Sequence, residues 1–218
     1  MKKLKAIIFD FDGVICESVD IKTESFKQLY SEYGDQIVKK VVKHHLSNGG
    51  VSRFEKIKYY HKNFLDKIVD KNQLKELSNI FSPLVVSKVI EAPYVRGANN
   101  FIQDNYKTYD FFISTGTPED EIIKILEKKD IYKYFKSVYG SPMEKTDHIN
   151  SIMRLNNYKK NEVVFVGDAD TDIIAAENNG ITIILRKHNS SICKKEYFKT
   201  IKIEDLTDLS SVLYNLNY

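Results

Sequence analysis

Five short runs of apolar residues are spaced along the chain, and each predicts a β-strand. They are KAIIFDF at 5–11, YDFFIST at 109–115, FKSVYG at 135–140, EVVFVG at 162–167 and ITIIL at 181–185. The runs are five to seven residues long and rich in Ile, Val, Phe or Tyr. Continuous apolar runs of this length indicate strands that are buried on both faces, as in a parallel sheet.

Helical patterns separate the last four of these runs. Apolar residues recur at helical spacing over 119–129, 144–155 and 171–178. Strands that alternate with helices indicate parallel strands joined by right-handed crossovers. The pattern therefore predicts an α/β fold whose core is a Rossmann-like, doubly wound parallel sheet.

The long interval between the first two runs has no strand pattern and is helical throughout. A helical insert directly after the first strand is typical of a separate small domain. Pro93 and Gly97 punctuate the chain where the insert returns to the sheet. We predict an inserted α-helical cap domain at 16–89 and a discontinuous α/β core at 1–15 and 90–218.

Composition and charge narrow the class of protein. The 218 residues are 42% hydrophobic, and the net charge of +3 comes without a basic cluster, which argues against a nucleic-acid interface. The two cysteines, Cys16 and Cys193, are far apart and favour a reducing compartment over a disulfide scaffold. The first apolar run breaks at Asp10, too early for a signal peptide, and no stretch approaches membrane-spanning length. We expect a cytoplasmic monomer or homodimer with no membrane or nucleic-acid partner.

Polar groups follow the predicted strands at the edge where an open parallel sheet binds its ligands. They are Asp10 and Asp12 after the first strand, Ser114, Thr115, Gly116 and Thr117 after the second, Lys145 beyond the third, and Asp168, Asp170 and Asp172 beyond the fourth. Carboxylates, hydroxyls, exposed amides and one ammonium are therefore expected to converge. That set suits a hard divalent cation and a phosphoryl group.

Four segments resemble the ordered motifs of the haloacid dehalogenase superfamily, in particular its phosphoglycolate phosphatase and β-phosphoglucomutase-like branch. They are DFDGV at 10–14, TGTP at 115–118, Lys145 and GDADTD at 167–172. The helical insert also lies where that family keeps its mobile cap. One such motif would occur by chance, whereas four in order at predicted strand ends are specific. The resemblance implies a Mg²⁺-dependent phosphatase that acts on a small phosphomonoester, such as a sugar or polyol phosphate.

The resemblance also implies a role for each motif residue. Asp10 is expected to attack phosphorus and form an aspartyl-phosphate, while Asp12 protonates the leaving oxygen and later deprotonates water. Mg²⁺ is expected to bind Asp10, the backbone carbonyl of Asp12, and Asp168. Lys145 would neutralise charge between Asp10 and the phosphoryl oxygens, with Asp172 orienting the ammonium.

The second motif is expected to supply the phosphate cradle. A hydroxyl from Thr115 and the amide of Gly116 stand before a predicted helix N-terminus, which attracts anions. Ser114 competes for the same role, and the family's proline three places after its hydroxyl residue favours Thr115. Thr117 is predicted to cap the following helix, with Asp120 completing a capping box.

The run at 168–172 also invites interpretation as a calcium-binding loop. Such a loop requires glycine at its sixth position and glutamate at its twelfth, where this chain has Ile173 and Asn179. We therefore reject that interpretation. Asp170 is expected to cap the helix that follows.

The cap contains one informative loop, SNGGVSR at 47–53. It looks like the cap loop of the β-phosphoglucomutase branch, so Ser52 and Arg53 are expected to face the substrate; an ordinary interhelical loop with a surface arginine is the alternative. That branch carries a histidine ten residues after its second aspartate, where this chain has Lys22. The departure favours hydrolysis, with a phosphosugar mutase as the alternative. A non-enzymatic phosphate or metal sensor is the other rival, and the intact Asp10 and Asp12 argue against it.

Overall fold

The core of the chain is a parallel β-sheet. The computed structural model describes residues 4–188 and 200–216. Within them, six strands lie in the order β3-β2-β1-β4-β5-β6, and every pairing is parallel. The strands are β1 (Ala6–Phe9), β2 (Asp110–Pro118), β3 (Ser137–Ser141), β4 (Val163–Gly167), β5 (Thr182–Arg186) and β6 (Ile201–Ile203). The predicted doubly wound parallel sheet is confirmed, and β6 adds a strand that the sequence pattern did not predict.

Helices account for most of the remaining described chain. Four follow β1: α1 (Val19–Leu29), α2 (Asp35–Leu46), α3 (Arg53–Phe64) and α4 (Lys71–Glu91). Five more accompany the sheet: α5 (Ala98–Asn105), α6 (Glu119–Lys128), α7 (Lys145–Asn156), α8 (Asp170–Asn179) and α9 (Leu209–Leu216). The inserted helical cap is confirmed as part of the fold class.

The central strand β1 explains why its sequence is apolar at every position. Successive side chains of a strand point to opposite faces of the sheet. Ile7 and Phe9 enter the hydrophobic cluster on one face, whereas Ala6 and Ile8 enter the cluster on the other. All four are fully buried, because helices cover both faces of a doubly wound sheet.

The cap helices share a hydrophobic core with one face of the sheet. Phe26 of α1, Ile57 of α3 and Phe81 of α4 belong to the same cluster of buried residues as Phe9 of β1. This packing holds the cap against the core near the carboxyl ends of β1 and β2. The exact division at 15/16 and 89/90 stays a prediction.

Two expectations from the sequence concern redox state and membranes. Cys16 is a buried free thiol whose pKa is raised to about 11 by burial, and Cys193 lies outside the described residues. None of the helices within the described ranges is long and apolar enough to cross a bilayer.

Candidate active site

Asp10 is placed by the end of the central strand. Strand β1 ends at Phe9, and the backbone N–H of Asp10 still donates to the carbonyl of Val166 on β4 at 2.9 Å. The chain then turns away through Gly13, which has a φ of +74°. A Cβ at Gly13 would overlap the carboxylate of Asp168, so only glycine fits between the two aspartate-bearing turns.

Three buried carboxylates and one ammonium meet behind this turn. Oxygen atoms of Asp10, Asp168 and Asp172 lie within 4.8 Å of one another. Lys145 donates to Asp10 Oδ2 at 2.5 Å and to Asp172 Oδ1 at 2.6 Å. Burial raises the pKa of Asp10 to about 7, although Lys145 opposes the rise, and burial likewise raises the pKa of Asp168 and of Asp172.

The donor set of this cluster fits a hard divalent cation. Two or three carboxylates and a nearby backbone carbonyl are the oxygen ligands that Mg²⁺ prefers. One ammonium does not balance three carboxylates, so positive charge is in deficit there. Asp10, Asp168 and the carbonyl of Asp12 are the groups that would hold the ion.

Asp172 has a different set of contacts. One oxygen accepts from Lys145, and the other accepts from the backbone N–H groups of Asp168 and Ala169 at 3.0 and 3.1 Å. Asp172 therefore fixes both the ammonium and the turn that carries Asp168. The prediction that Asp170 caps this helix is wrong, because α8 begins at Asp170 and Ala169 is its N-cap residue.

Asp12 lies in a polar environment of its own. Its carboxylate accepts from Ser18 at 2.6 Å and from Thr117 at 3.1 Å, and it forms an ion pair with Lys22. Burial alone would raise the pKa of Asp12, but Lys22 and the hydrogen bonds hold it below its usual value. Asp12 is therefore ionised in the free site.

Thr117, one of the partners of Asp12, does not have the role at the start of α6 that the sequence predicted. The predicted N-cap role of Thr117 is wrong, because α6 begins at Glu119 with Pro118 as its N-cap residue. The Thr117 hydroxyl instead donates to Asp12 and accepts from Lys22 at 2.8 Å. The Thr117 hydroxyl therefore serves the Asp12 carboxylate, and α6 has no side-chain capping hydrogen bond.

The structure separates the two candidate phosphate-binding hydroxyls. Thr115 and Gly116 line a cavity of about 80 Å³ between core and cap, together with Asp10 and Asp12. Ser114 is fully buried and contacts the His148 ring at 2.9 Å instead. Thr115 is therefore the hydroxyl positioned to meet a ligand, and its role stays a prediction.

The cap closes directly over the motif residues. The carbonyl of Gly49 accepts from the Thr171 hydroxyl at 3.2 Å, although 122 residues separate them. A Cβ at Gly116 would overlap the carbonyl oxygen of Gly50. The cap loop at Gly49 and Gly50 therefore approaches the end of β2 backbone to backbone, and the cavity beneath this contact is small.

The two predicted cap residues occupy different places. Ser52 is the N-cap of α3 and accepts from the N–H of Glu55 at 3.3 Å, away from the cavity lining. Arg53 lines the cavity, but its guanidinium forms a bidentate ion pair with Glu121 of α6, with Nη1 2.8 Å from Oε1. The guanidinium also lies 4.8 Å from the centre of the Phe81 ring. Arg53 joins cap to core, and direct contact with substrate stays a prediction.

Several residues at the site were not predicted as site residues. Lys22 was recognised only as a departure from the family pattern, although its ten-residue spacing from Asp12 marked the position. His188 contacts the Asp168 carboxylate at 2.8 Å. His45 and Lys56 line the cap side of the cavity. No sequence signal distinguished these three, since each depends on how distant helices and loops pack.

The chain is similar in sequence and in fold to known hydrolases and phosphatases. Residues 7–185 match the sequence model of a family described as haloacid dehalogenase-like hydrolase. A phosphorylated carbohydrates phosphatase from Thermotoga maritima is 28% identical over 193 residues, 82% of each chain. A phosphoglycolate phosphatase from Sulfolobus acidocaldarius is 26% identical over 125 residues, 56% of this chain and 54% of the relative. The solved structure of a β-phosphoglucomutase from Clostridium difficile matches with a TM-score of 0.79 at 16% identity, covering 98% of this chain and 97% of that one.

Proposed function

This chain belongs to the haloacid dehalogenase-like hydrolase family, and we propose that it is a Mg²⁺-dependent phosphatase that hydrolyses a small phosphomonoester through a phospho-aspartyl intermediate. The observation that carries the proposal is the pair of aspartates, Asp10 and Asp12, which line one small cavity with opposite pKa shifts. The similarity to a phosphatase of phosphorylated carbohydrates supports the substrate class. Cysteine usage supports a cytoplasmic location, which is part of the proposal.

Asp10 begins the reaction as the nucleophile. A carboxylate oxygen attacks phosphorus, the bond from phosphorus to the substrate oxygen breaks, and an aspartyl-phosphate forms. Asp12 gives a proton to the leaving oxygen. An incoming phosphate dianion favours the protonated form of Asp12, because it adds negative charge beside a carboxylate that Lys22 otherwise keeps ionised.

Water completes the reaction. Asp12 accepts a proton as a water molecule attacks phosphorus, and the bond between Asp10 and phosphorus breaks. Inorganic phosphate leaves, and Asp10 returns to its starting state. Thr115 and Gly116 line the cavity, and we expect the Thr115 hydroxyl and the Gly116 amide to hold phosphoryl oxygens through both steps.

Positive charge is required around the nucleophile. Without a cation the pKa of Asp10 is about 7, so a substantial fraction of the carboxyl is protonated at neutral pH. Asp10, Asp168 and the Asp12 carbonyl would hold Mg²⁺, which supplies positive charge to the phosphoryl oxygens and favours ionised Asp10. Lys145, held by Asp172, adds a fixed positive charge at Asp10.

Phosphate release from a broad panel of phosphomonoesters tests the proposal. Release should require Mg²⁺, stop with chelator, and fall roughly a thousandfold or more in D10N, since the nucleophile is lost. The exposed Asp104 of α5 provides the matched control, and D104N should keep the wild-type rate. Release that persists in folded D10N would contradict the mechanism. Isomerised product without free phosphate would support the mutase alternative instead.

A further inference from the structure

A buried lysine faces the cavity from the cap. Lys56 lies on α3 and is only 3% exposed, and it lines the same cavity as Asp10. Its ammonium is 2.9 Å from Nδ1 of His45, near the end of α2, and 3.5 Å from the His45 backbone carbonyl. Neither residue is part of the family motifs that the sequence displays.

The charges of the other lining cations are already balanced. Lys22 pairs with Asp12, and Arg53 pairs with Glu121. Among the residues that the structure describes, Lys56 has no carboxylate within ion-pair distance. A buried ammonium without a counter-ion is unfavourable, so this site lacks one negative charge.

His45 orients the ammonium without neutralising it. Burial and the neighbouring Lys56 lower the pKa of His45 to about 2, so the ring is neutral and accepts the hydrogen bond at Nδ1. The Phe26 ring lies 4.9 Å from the imidazole and 5.8 Å from the Lys56 ammonium, which makes this part of the wall apolar. Burial lowers the pKa of Lys56 to about 7, with Lys22 and Lys145 adding repulsion and Asp12 and Asp168 adding attraction.

We propose that Lys56 binds a second anionic group of the substrate, a carboxylate or a second phosphate. The inference rests on the proposed phosphatase function, because it requires the transferred phosphoryl group to occupy the Asp10 end of the same cavity. Thr115 and Gly116 of the cavity lining and Lys145 beside Asp10 are the groups proposed to hold it. A cavity of about 80 Å³ favours a substrate with few atoms beyond the phosphoryl group. Lys56 therefore selects short phosphomonoesters that carry two anionic groups.

A matched series of three compounds tests this selection. Phosphoglycolate carries a carboxylate, ethylene glycol bisphosphate carries a second phosphate, and 2-hydroxyethyl phosphate carries a neutral hydroxyl at the same place. We expect kcat/KM for phosphoglycolate, for ethylene glycol bisphosphate or for both to exceed that for 2-hydroxyethyl phosphate about tenfold to hundredfold. This is the effect of one charge-assisted hydrogen bond. Comparison of the first two compounds identifies which anion is bound.

Variants on α3 assign the preference to Lys56. The ratio of kcat/KM for the preferred anionic compound to kcat/KM for the hydroxyl compound should fall close to one in K56M. K56R retains the positive charge and should keep the wild-type ratio. Lys58 is a matched control, since it lies on the same helix and its side chain is 50% exposed beside Glu55. K58M should keep the wild-type ratio.

The outcomes separate this inference from the function it rests on. Equal kcat/KM for all three compounds, or a ratio that survives in K56M, overturns the role of Lys56 and leaves the phosphatase intact. No release from the series also overturns the inference, whereas no release from the broad panel overturns the phosphatase as well. The kcat/KM ratio of the wild-type enzyme can overturn the inference without any variant. The test therefore still works if K56M misfolds.

Discussion

At the scale of single residues, burial and charge shift the pKa values of Asp10 and Asp12 in opposite directions. Asp10 is buried among other carboxylates, and its pKa is raised to about 7. Asp12 is partly buried, which alone would raise its pKa, but Lys22 and two hydroxyls lower the pKa below its usual value. Two carboxylates with different environments can take different roles, one as nucleophile and one as proton carrier.

His148 provides a test of residue-scale electrostatics outside the reacting groups. Its ring is fully buried between Ser114 and the Gly140 carbonyl, and burial lowers its pKa to about 4. The unfolded chain binds a proton at this histidine below pH 6.5, whereas the folded chain stays neutral until about pH 4. The stabilisation of the folded state by neutral His148 is therefore fully present above pH 6.5. As the pH falls towards 4, the free energy of unfolding decreases by up to about 3 kcal/mol because of this residue.

Urea unfolding between pH 7.5 and pH 4.5 measures this loss. The H148Q variant should show a smaller decline in the free energy of unfolding than the wild type over this range, because its side chain binds no proton. The carboxylates contribute equally to both proteins. The difference between wild type and H148Q in the slope of unfolding free energy against pH therefore reports His148 alone. Parallel slopes would show that the imidazole is not held neutral.

At the scale of elements, the ion pair between α3 and α6 links cap and core. The side chains of Arg53 and Glu121 are 4% and 12% exposed. Breaking such a pair leaves one buried charge alone, so R53M and E121Q should each cost about 3 kcal/mol of unfolding free energy. The double variant should cost less than their sum, with a coupling of about 2 kcal/mol measured by urea unfolding.

The surface pair of Lys58 and Glu55 on the same helix α3 is the control for this cycle. Its side chains are at least half exposed, and its coupling should stay below about 0.5 kcal/mol. Activity distinguishes the two roles of Arg53. Equal losses of kcat/KM in R53M and E121Q indicate a cap–core link, whereas a much larger loss in R53M supports the substrate contact predicted from the sequence.

The elements differ in how well the sequence predicted them. The five short apolar runs became strands, and burial on both faces explains why β1 and β4 carry no polar side chain. Strand β6 is only three residues long, and its IKI pattern is too short to separate from a loop. The predicted N-caps Thr117 and Asp170 were wrong, since Pro118 and Ala169 occupy the N-cap positions. Local capping rules do not include distant partners, such as the Asp12 carboxylate that the Thr117 hydroxyl binds.

At the scale of the whole molecule, the strand topology brings together site residues that are far apart in the sequence. Parallel strands place their carboxyl ends at one edge, so the convergence of Asp10, Thr115 and Asp168 could be anticipated from the order of the strands. The cap side of the cavity could not be anticipated. The positions of His45 and Lys56 depend on how four helices pack against each other and on the core, which no local pattern encodes.

The account as a whole rests on one covalent intermediate, an aspartyl-phosphate on Asp10. Acetyl phosphate is a suitable probe, because its acetate leaving group needs no proton. In D12N the first step should then proceed while the second, which needs Asp12 to accept a proton from water, is slowed. The phosphorylated enzyme should accumulate.

The most direct measurement is peptide mass spectrometry after acid quench of D12N with Mg²⁺ and acetyl phosphate. The account predicts one phosphoryl group on the peptide that contains Asp10, located on Asp10 itself and absent from the D10N/D12N double variant. A phosphoryl group on another residue, or phosphate release by the wild type with no phosphorylated Asp10 detectable in D12N, would contradict it.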